Sequence, residues 1–219
     1  MIQKPHYIWF LLFVVASGFE VEEKTDFYQD NKAEQIVAAS RSNYYKTRDM
    51  SLDFIYEVKG VTARQSRQRG TLKLQQRKYV LKMREQETYC DGKRVWVYLP
   101  NYNEYMVFKY GDWSYGSILN LFYSMYYGPS EKTYQGLELQ SDGRKAHKIR
   151  FQMTNRSPHF SLAYAWYAEK TNQLTRVTFV DRRRRQRSFF FSNRRINNGF
   201  DQGIFVFHPE DHPGIELRR

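Results

Sequence analysis

Two histidines, His208 and His212, stand four residues apart, the spacing at which a helix aligns two imidazoles on one metal ion. Pro209 and Pro213 follow them directly and forbid that helix, so no metal site is expected there. Cys90 is the single cysteine and can close no internal disulfide; it falls in a stretch of strand character. Asp53 and Glu57 are of the type that performs general acid–base chemistry. They alternate with Leu52, Phe54, Tyr56 and Val58, which places them on the outer face of a strand as solubilising groups. Asn155-Arg156-Ser157 has the form of a glycosylation sequon but runs into Pro158 and is given no weight. The chain carries no Gly-x-Ser-x-Gly elbow, His-Glu-x-x-His pair, Walker loop or dinucleotide fingerprint. The expectation is a protein that is not an enzyme and uses no cofactor.

The residues that do stand out are cations and aromatics. Net charge is +12, and its densest run is Arg182-Arg183-Arg184-Arg185-Gln186-Arg187, echoed by Arg194-Arg195. Such a run suits phosphate-bearing partners, either nucleic acid or anionic lipid headgroups; it equally suits a solvated hairpin tip between two strands. The neighbouring Phe189-Phe190-Phe191 would permit base stacking. The start of the chain argues against nucleic acid. Lys4 precedes an apolar stretch from Tyr7 to Ala16, and Ala16-Ser17-Gly18 fits a small-x-small cleavage site, the pattern of an export signal. The stretch ends before Glu20, short of the roughly 20 residues of a membrane span. We expect residues 1–18 to be a signal peptide and 19–219 a single domain. With no cysteine at the cleavage point, the mature chain is expected to be soluble. Docking to a membrane or to an acidic patch on a transporter is then the expected use of Arg182, Arg183, Arg184, Arg185 and Arg187.

The elements that must position these groups are mostly strands. A helix is expected over Asn31–Thr47, capped by Asp30, with Ala33, Ile36, Val37 and Ser40 on one face. After Asp49 the period changes to two, giving a strand over Ser51–Lys59. Gly60–Gln68 reads as a long polar turn. Leu72 and Leu74, then Tyr79, Leu81 and Met83, alternate with polar residues. Glu87–Cys90 and Arg94–Leu99 flank Asp91-Gly92, a strong hairpin signal. Glu104–Phe108 follows. One helix interrupts, Ser117–Tyr126, with Ile118, Leu121, Phe122 and Met125 on one face and Gly128-Pro129 as its stop. Strands resume at Thr133–Leu139, Ala146–Thr154, Phe160–Trp166, Leu174–Val180, Ser188–Phe191 and Ile204–Phe207. The sum is an α+β domain with an antiparallel meander of about ten or eleven strands and two helices.

A sheet this long must curl, split or close. Its concave face is expected to carry Phe54, Tyr56, Tyr79, Phe160, Tyr164 and Trp166. Alternating aromatics also describe an ordinary packed core, so the pattern establishes the sheet and not a hole. A cavity under a helical plug or lid would suit an apolar ligand, each buried methylene contributing about 0.8 kcal/mol.

The stretch Tyr89-Cys90-Asp91-Gly92-Lys93-Arg94-Val95-Trp96-Val97-Tyr98-Leu99-Pro100, with Glu104 after the next turn, resembles the central hairpin of the periplasmic outer-membrane lipoprotein carriers (LolA-like family). The order of elements before it, including Met50-Ser51-Leu52-Asp53-Phe54 and Gly70-Thr71-Leu72-Lys73-Leu74, is similar too. Phe205-Val206-Phe207-His208-Pro209, with Gly214-Ile215, resembles the family's closing segment. The resemblance covers the chain from about Asp30 onward. It implies an incomplete, half-open antiparallel β-barrel with a helical lid over a hydrophobic cavity. It also implies a periplasmic, monomeric carrier that takes lipoproteins from an inner-membrane ABC-type releasing complex to an outer-membrane acceptor. The lipid-lining residues would be Leu52, Phe54, Tyr56, Leu72, Leu74, Tyr79, Leu81 and Met83, closed over by Ile118, Leu121, Phe122 and Met125. The family's Arg-Pro pair, whose arginine helps tether the lid, has Arg77 as its nearest counterpart, one place along and without the proline. Related domains on this scaffold sense lipid rather than carry it, which is the alternative reading; a basic nucleic-acid-binding module is the more distant one.

Overall fold

The period-two alternation that begins after Asp49 becomes one open sheet of twelve strands, described in a computed structural model for residues 16–60, 66–111, 118–154 and 160–218. Helix α1, Ala16–Tyr45, leads into β1 (Met50–Lys59), β2 (Ser66–Gln75), β3 (Lys78–Met83), β4 (Glu87–Cys90), β5 (Arg94–Leu99) and β6 (Glu104–Lys109). Helix α2, Ile118–Tyr127, is followed by β7 (Ser130–Leu139), β8 (Lys145–Met153), β9 (Leu162–Ala168), β10 (Leu174–Val180) and β11 (Gln186–Ile196). A two-residue strand, β12 (Glu216–Leu217), ends the described chain. The spatial order is β12-β6-β5-β4-β3-β2-β1-β11-β10-β9-β8-β7. Within β1–β6 and within β7–β11 consecutive strands pair antiparallel; the two meanders meet where β11 pairs with β1, Phe54 opposite Phe191 and Tyr56 opposite Phe189. Among the described strands, only β12 is parallel to its neighbour, β6. The ends of the order, β12 and β7, do not pair with each other, so the sheet is open.

Both helices lie on one face of this sheet, here the inner face. Ala33, Ile36, Val37 and Ser40 are the buried stripe of α1, as their spacing predicts. The helix rests on β7, where Lys132 Nζ meets Glu34 at 2.8 Å and Lys32 sits 4.2 Å above the Tyr134 ring.

Several sequence expectations are corrected. Helix α1 runs through Asp30, which is therefore interior and not a cap. Nothing between Glu20 and Asn31 is a glycine or proline, and an interior aspartate costs only a fraction of a kcal/mol, about 0.7 at most, against alanine. The expected turn over 60–68 is shorter, because Ser66–Gln68 extend β2 to pair with Tyr56–Val58 of the ten-residue β1. Ile204–Phe207 is not a strand: Gln202–Phe205 form a 3₁₀ turn, with Asp201 accepting from the Gly203 N–H at 2.8 Å. The strand count rises to twelve through β12, too short to show a period. The leader up to residue 15, the Ser117 start of α2 and the Asn155 sequon lie outside the described residues.

A further correction concerns which face β9 shows. Tyr164 and Trp166 were expected inside; Ala163, Ala165 and Tyr167 are inside, all fully buried. The inner space is already taken by Phe160 and Phe179, whose rings lie 4.9 Å apart, and by Phe151. The period of the segment shifts between Phe160, which precedes the strand, and Ala163 within it.

Candidate functional site

Eight residues assigned to lipid contact from sequence share the inner face of three adjacent strands. The register sets Leu52 opposite Leu72, and Leu72 opposite Leu81; Leu74 faces Tyr79, and Gly70 lies between Phe54 and Met83. Leu52, Phe54, Leu72, Tyr79 and Leu81 are buried, while Tyr56, Leu74 and Met83 are half-buried against the same cluster. Gly70 has a reason to be glycine: the Phe54 ring lies directly over it, where any Cβ would collide with the ring. The apolar face continues where sequence reasoning had not followed it, through Cys90, Val95, Val97, Met106 and Phe108 on one side and Phe189, Phe191, Val177 and Phe179 on the other. Alternation within β5, β6 and β11 was the signal available for these.

Helix α2 closes on the second half of that face. Leu121 and Met125 are buried, and Phe122 meets Phe179, Phe189 and Phe191 at ring-centroid distances of 5.5, 5.5 and 5.8 Å. Ile118 begins the helix. Tyr126 joins the two helices through Ser40, hydroxyl to hydroxyl at 3.4 Å, and lies beside the fully buried Tyr167. Burial pushes both phenols above their ordinary range. Tyr45 and Tyr127 hydroxyls add a second helix–helix contact. Phe122 therefore reaches the sheet through rings that the sequence reading had linked to base stacking; Phe189 is 1% exposed and not available to a base.

The remaining candidates are scattered. Arg77 is exposed in the β2–β3 turn; its carbonyl accepts from the Cys90 thiol at 3.4 Å, and α2 lies instead against β10 and β11. Cys90 itself is held neutral, burial raising its thiol to about 11. Arg182, Arg183, Arg184 and Arg185 form the exposed tip of the β10–β11 hairpin. Asp181 organises the tip, accepting from the Arg183 and Arg185 backbones and from Arg185 Nε at 2.8 Å. Arg187 is different: it is half-buried within β11, opposite Val58 and Phe179.

The outer face has its own apolar cluster. The segment after β11 crosses it, packing Phe207 against Tyr89, Tyr98 and Tyr105 at 5.3–5.6 Å and stacking His212 on Phe207 at 5.1 Å. His208 is held by Glu210 at 2.9 Å. A cavity of about 390 Å³ lies beside this segment, between Val80, Tyr89, Lys73, Lys82 and Phe207.

Against known proteins, no family model matches the chain, and no curated protein matches it in sequence. Solved structures do. An uncharacterized conserved protein from Thermus thermophilus is 13% identical, covering 86% of this chain and 99% of its own, with a TM-score of 0.58. The chain shares that protein's fold. Similar structures also include a LolA superfamily protein from Nitrosomonas europaea (9% identity, 80% and 97% covered, TM-score 0.40). Another is a putative outer membrane lipoprotein-sorting protein domain from Vibrio parahaemolyticus (13% identity, 79% and 97% covered, TM-score 0.41).

Proposed function

We propose that the chain is an exported, non-enzymatic carrier that holds lipid acyl chains against the inner face of its sheet, as in a half-open barrel with α2 as lid. The observation that carries this reading is the continuity of that face. One apolar surface runs unbroken from Phe108 on β6 through Leu81, Leu72, Leu52 and Phe54 to Phe189 and Phe179, and two helices rather than a second sheet cover it. No helix among the described residues is long and apolar enough to cross a membrane. Lipoproteins would be the cargo, received from an inner-membrane ABC-type complex and passed to an outer-membrane acceptor after removal of residues 1–18. The exposed Arg182–Arg185 tip would meet anionic membrane surface.

Opening the face means displacing Phe122, Leu121 and Met125. Their apolar contact is then replaced by acyl methylenes, each contributing about 0.8 kcal/mol, so exchange of lid for ligand costs little net burial. The test is to purify the chain from the periplasm without detergent and identify co-purifying molecules by mass spectrometry. Bound lipoproteins support the carrier; free phospholipid supports transport or sensing of lipid. An empty protein that also refuses acyl-chain probes makes the inner face a simple core. Leu81→Asp in a folded variant should abolish probe uptake.

A further inference from the structure

The surface that α2 and the last turns of α1 present to solvent is aromatic and basic. In α2 the inward positions are Leu121, Phe122 and Met125, while Tyr123 and Tyr127, one turn apart, are exposed, Tyr123 at 66%. Their rings lie 4.9 Å apart. A helix that covers a sheet ordinarily turns charged residues to water; α2 has none of either sign, in a chain that is 26% charged. In α1 the buried stripe of Ala33, Val37 and Ser40 continues at helical spacing into Tyr44, yet Tyr44 is exposed, as is Tyr45 beside it at 64%. The Tyr44 and Tyr45 rings meet edge-on at 5.9 Å, and the Tyr45 and Tyr127 hydroxyls touch. Four exposed tyrosines thus form one continuous patch across both helices. Tyr110 adjoins it, since burial, Tyr45 and Tyr110 together raise the Tyr44 phenol. Cations border the patch: Arg41 lies 5.4 Å over the Tyr127 ring, and Lys46 and Arg48 are exposed at the end of α1. From Gln35 to Arg48 there is no carboxylate. Asp49, which follows, is buried and engaged with Arg48 and the backbone N–H groups of Asn198 and Gly199.

We infer that this tyrosine face docks the chain on an anionic phospholipid bilayer, with α2 and the last turns of α1 lying in the plane of the headgroups. Tyrosine suits that depth, its ring toward the acyl boundary and its hydroxyl among the headgroups. An uncharged helix surface bordered by cations lies in the interface and not across it. Arg41, Lys46 and Arg48 each add attraction to anionic headgroups. A second copy of the chain is a poorer occupant, because a two-fold contact would set the same cations against each other. The inference does not need the carrier reading. Taken with it, docking brings the lid against lipid, so that Leu121, Phe122 and Met125 on leaving the sheet meet acyl chains instead of water. The Arg182–Arg185 tip is a separate surface: its hairpin meets β1 at Lys59, roughly 30 Å along the strand from Met50 and the end of α1.

The experiment sediments the chain, recovered from the periplasm, with vesicles of phosphatidylcholine alone or of phosphatidylcholine with about 30% phosphatidylglycerol. All variants share one N-terminus, so any anchoring by the leader is common to them. Partitioning into the anionic vesicles should exceed that into the neutral ones by about tenfold or more. Tyr123→Ser combined with Tyr127→Ser should lower it about tenfold, and Lys46→Gln about fivefold. Hydrogen–deuterium exchange of the unmodified chain gives a readout that needs no variant to fold. Anionic vesicles should slow exchange over Tyr44–Arg48 and Ile118–Tyr127 and leave the outer-face segment Phe205–Phe207 unchanged. Slowing confined to Arg182–Arg185, or binding lost in Arg182→Gln with Arg183→Gln but kept in the tyrosine variant, overturns the face and makes the tip the docking surface. Equal partitioning into both vesicles, or into neither, overturns it as well. Self-association that the tyrosine variant abolishes, without vesicle binding, means a contact between copies and also overturns it. None of these outcomes measures acyl-chain uptake, so the carrier reading stands or falls by its own test.

Discussion

Strands β8 to β11 bury large side chains on both faces, and they do so by two different kinds of contact. On the inner face Phe151, Phe160, Phe179 and Phe189 are buried against each other and against α2, with ring-to-ring geometry and no charge among them. On the outer face of these strands, no helix among the described residues covers the sheet. There Trp166, 5% exposed, is roofed by Arg176 at 4.1 Å and Lys148 at 5.4 Å, and its indole N–H donates to Glu138 at 2.7 Å. Glu138 in turn pairs with Lys148 at 2.8 Å. Snorkelling cations thus do outside what the helices do inside: their stems and planes exclude water while their heads stay wet. A surface roofed by movable helices can be exchanged for a ligand. One roofed by its own strand neighbours cannot, because opening it breaks ion pairs on the same sheet.

The contrast predicts a graded set of effects. Phe189→Ala should be the most damaging, by about 3–5 kcal/mol in urea unfolding, since the ring joins β1, β10 and α2. Ala163→Leu should cost about 1–3 kcal/mol by overpacking the inner face. Tyr164→Leu, one residue away but outside, should cost under about 1 kcal/mol; equal costs would mean the two faces are packed alike. Trp166→Phe should cost about 1 kcal/mol by removing a hydrogen bond to a charged acceptor that keeps its lysine. The same variant sharpens the electrostatic side. Burial opposes ionisation of Glu138, but Lys148, Trp166 and Arg176 outweigh it and hold the carboxyl below its ordinary range. A depressed folded value means that this stability is present above the unfolded value, about 4.3, and is lost as pH falls through the folded one. The acid limb of a stability–pH curve should therefore be flatter in Trp166→Phe. An unchanged limb would mean the indole does not help to hold the charge.

The two faces also mark where the sequence could be read. Alternation in Leu52-Asp53-Phe54-Ile55-Tyr56 and the Asp91-Gly92 turn were enough to place β1 to β6 closely, and the eight proposed lining residues do share one face. The same alternation failed for β9, because period two groups residues by face without saying which face is covered. Size misled as well: Trp166 and Tyr164 are larger than Ala163 and Ala165, yet the larger pair lies outside. Gln68 was hidden inside what read as a polar turn, and the half-buried place of Arg187 in β11 inside what read as a charge run.

By itself the sequence determined the antiparallel meander from β1 to β11, the apolar stripe of α1 and the cationic tip, because these follow from local period, turn chemistry and charge. Only the tertiary structure decided that β1 pairs with β11, that helices cover one face and cations the other, and that Phe205–Phe207 cross the outer side as turns. Those outcomes depend on which surfaces compete for the same space. No property of a single strand encodes that competition; it exists only once the two meanders are joined and the large side chains of both must be accommodated together.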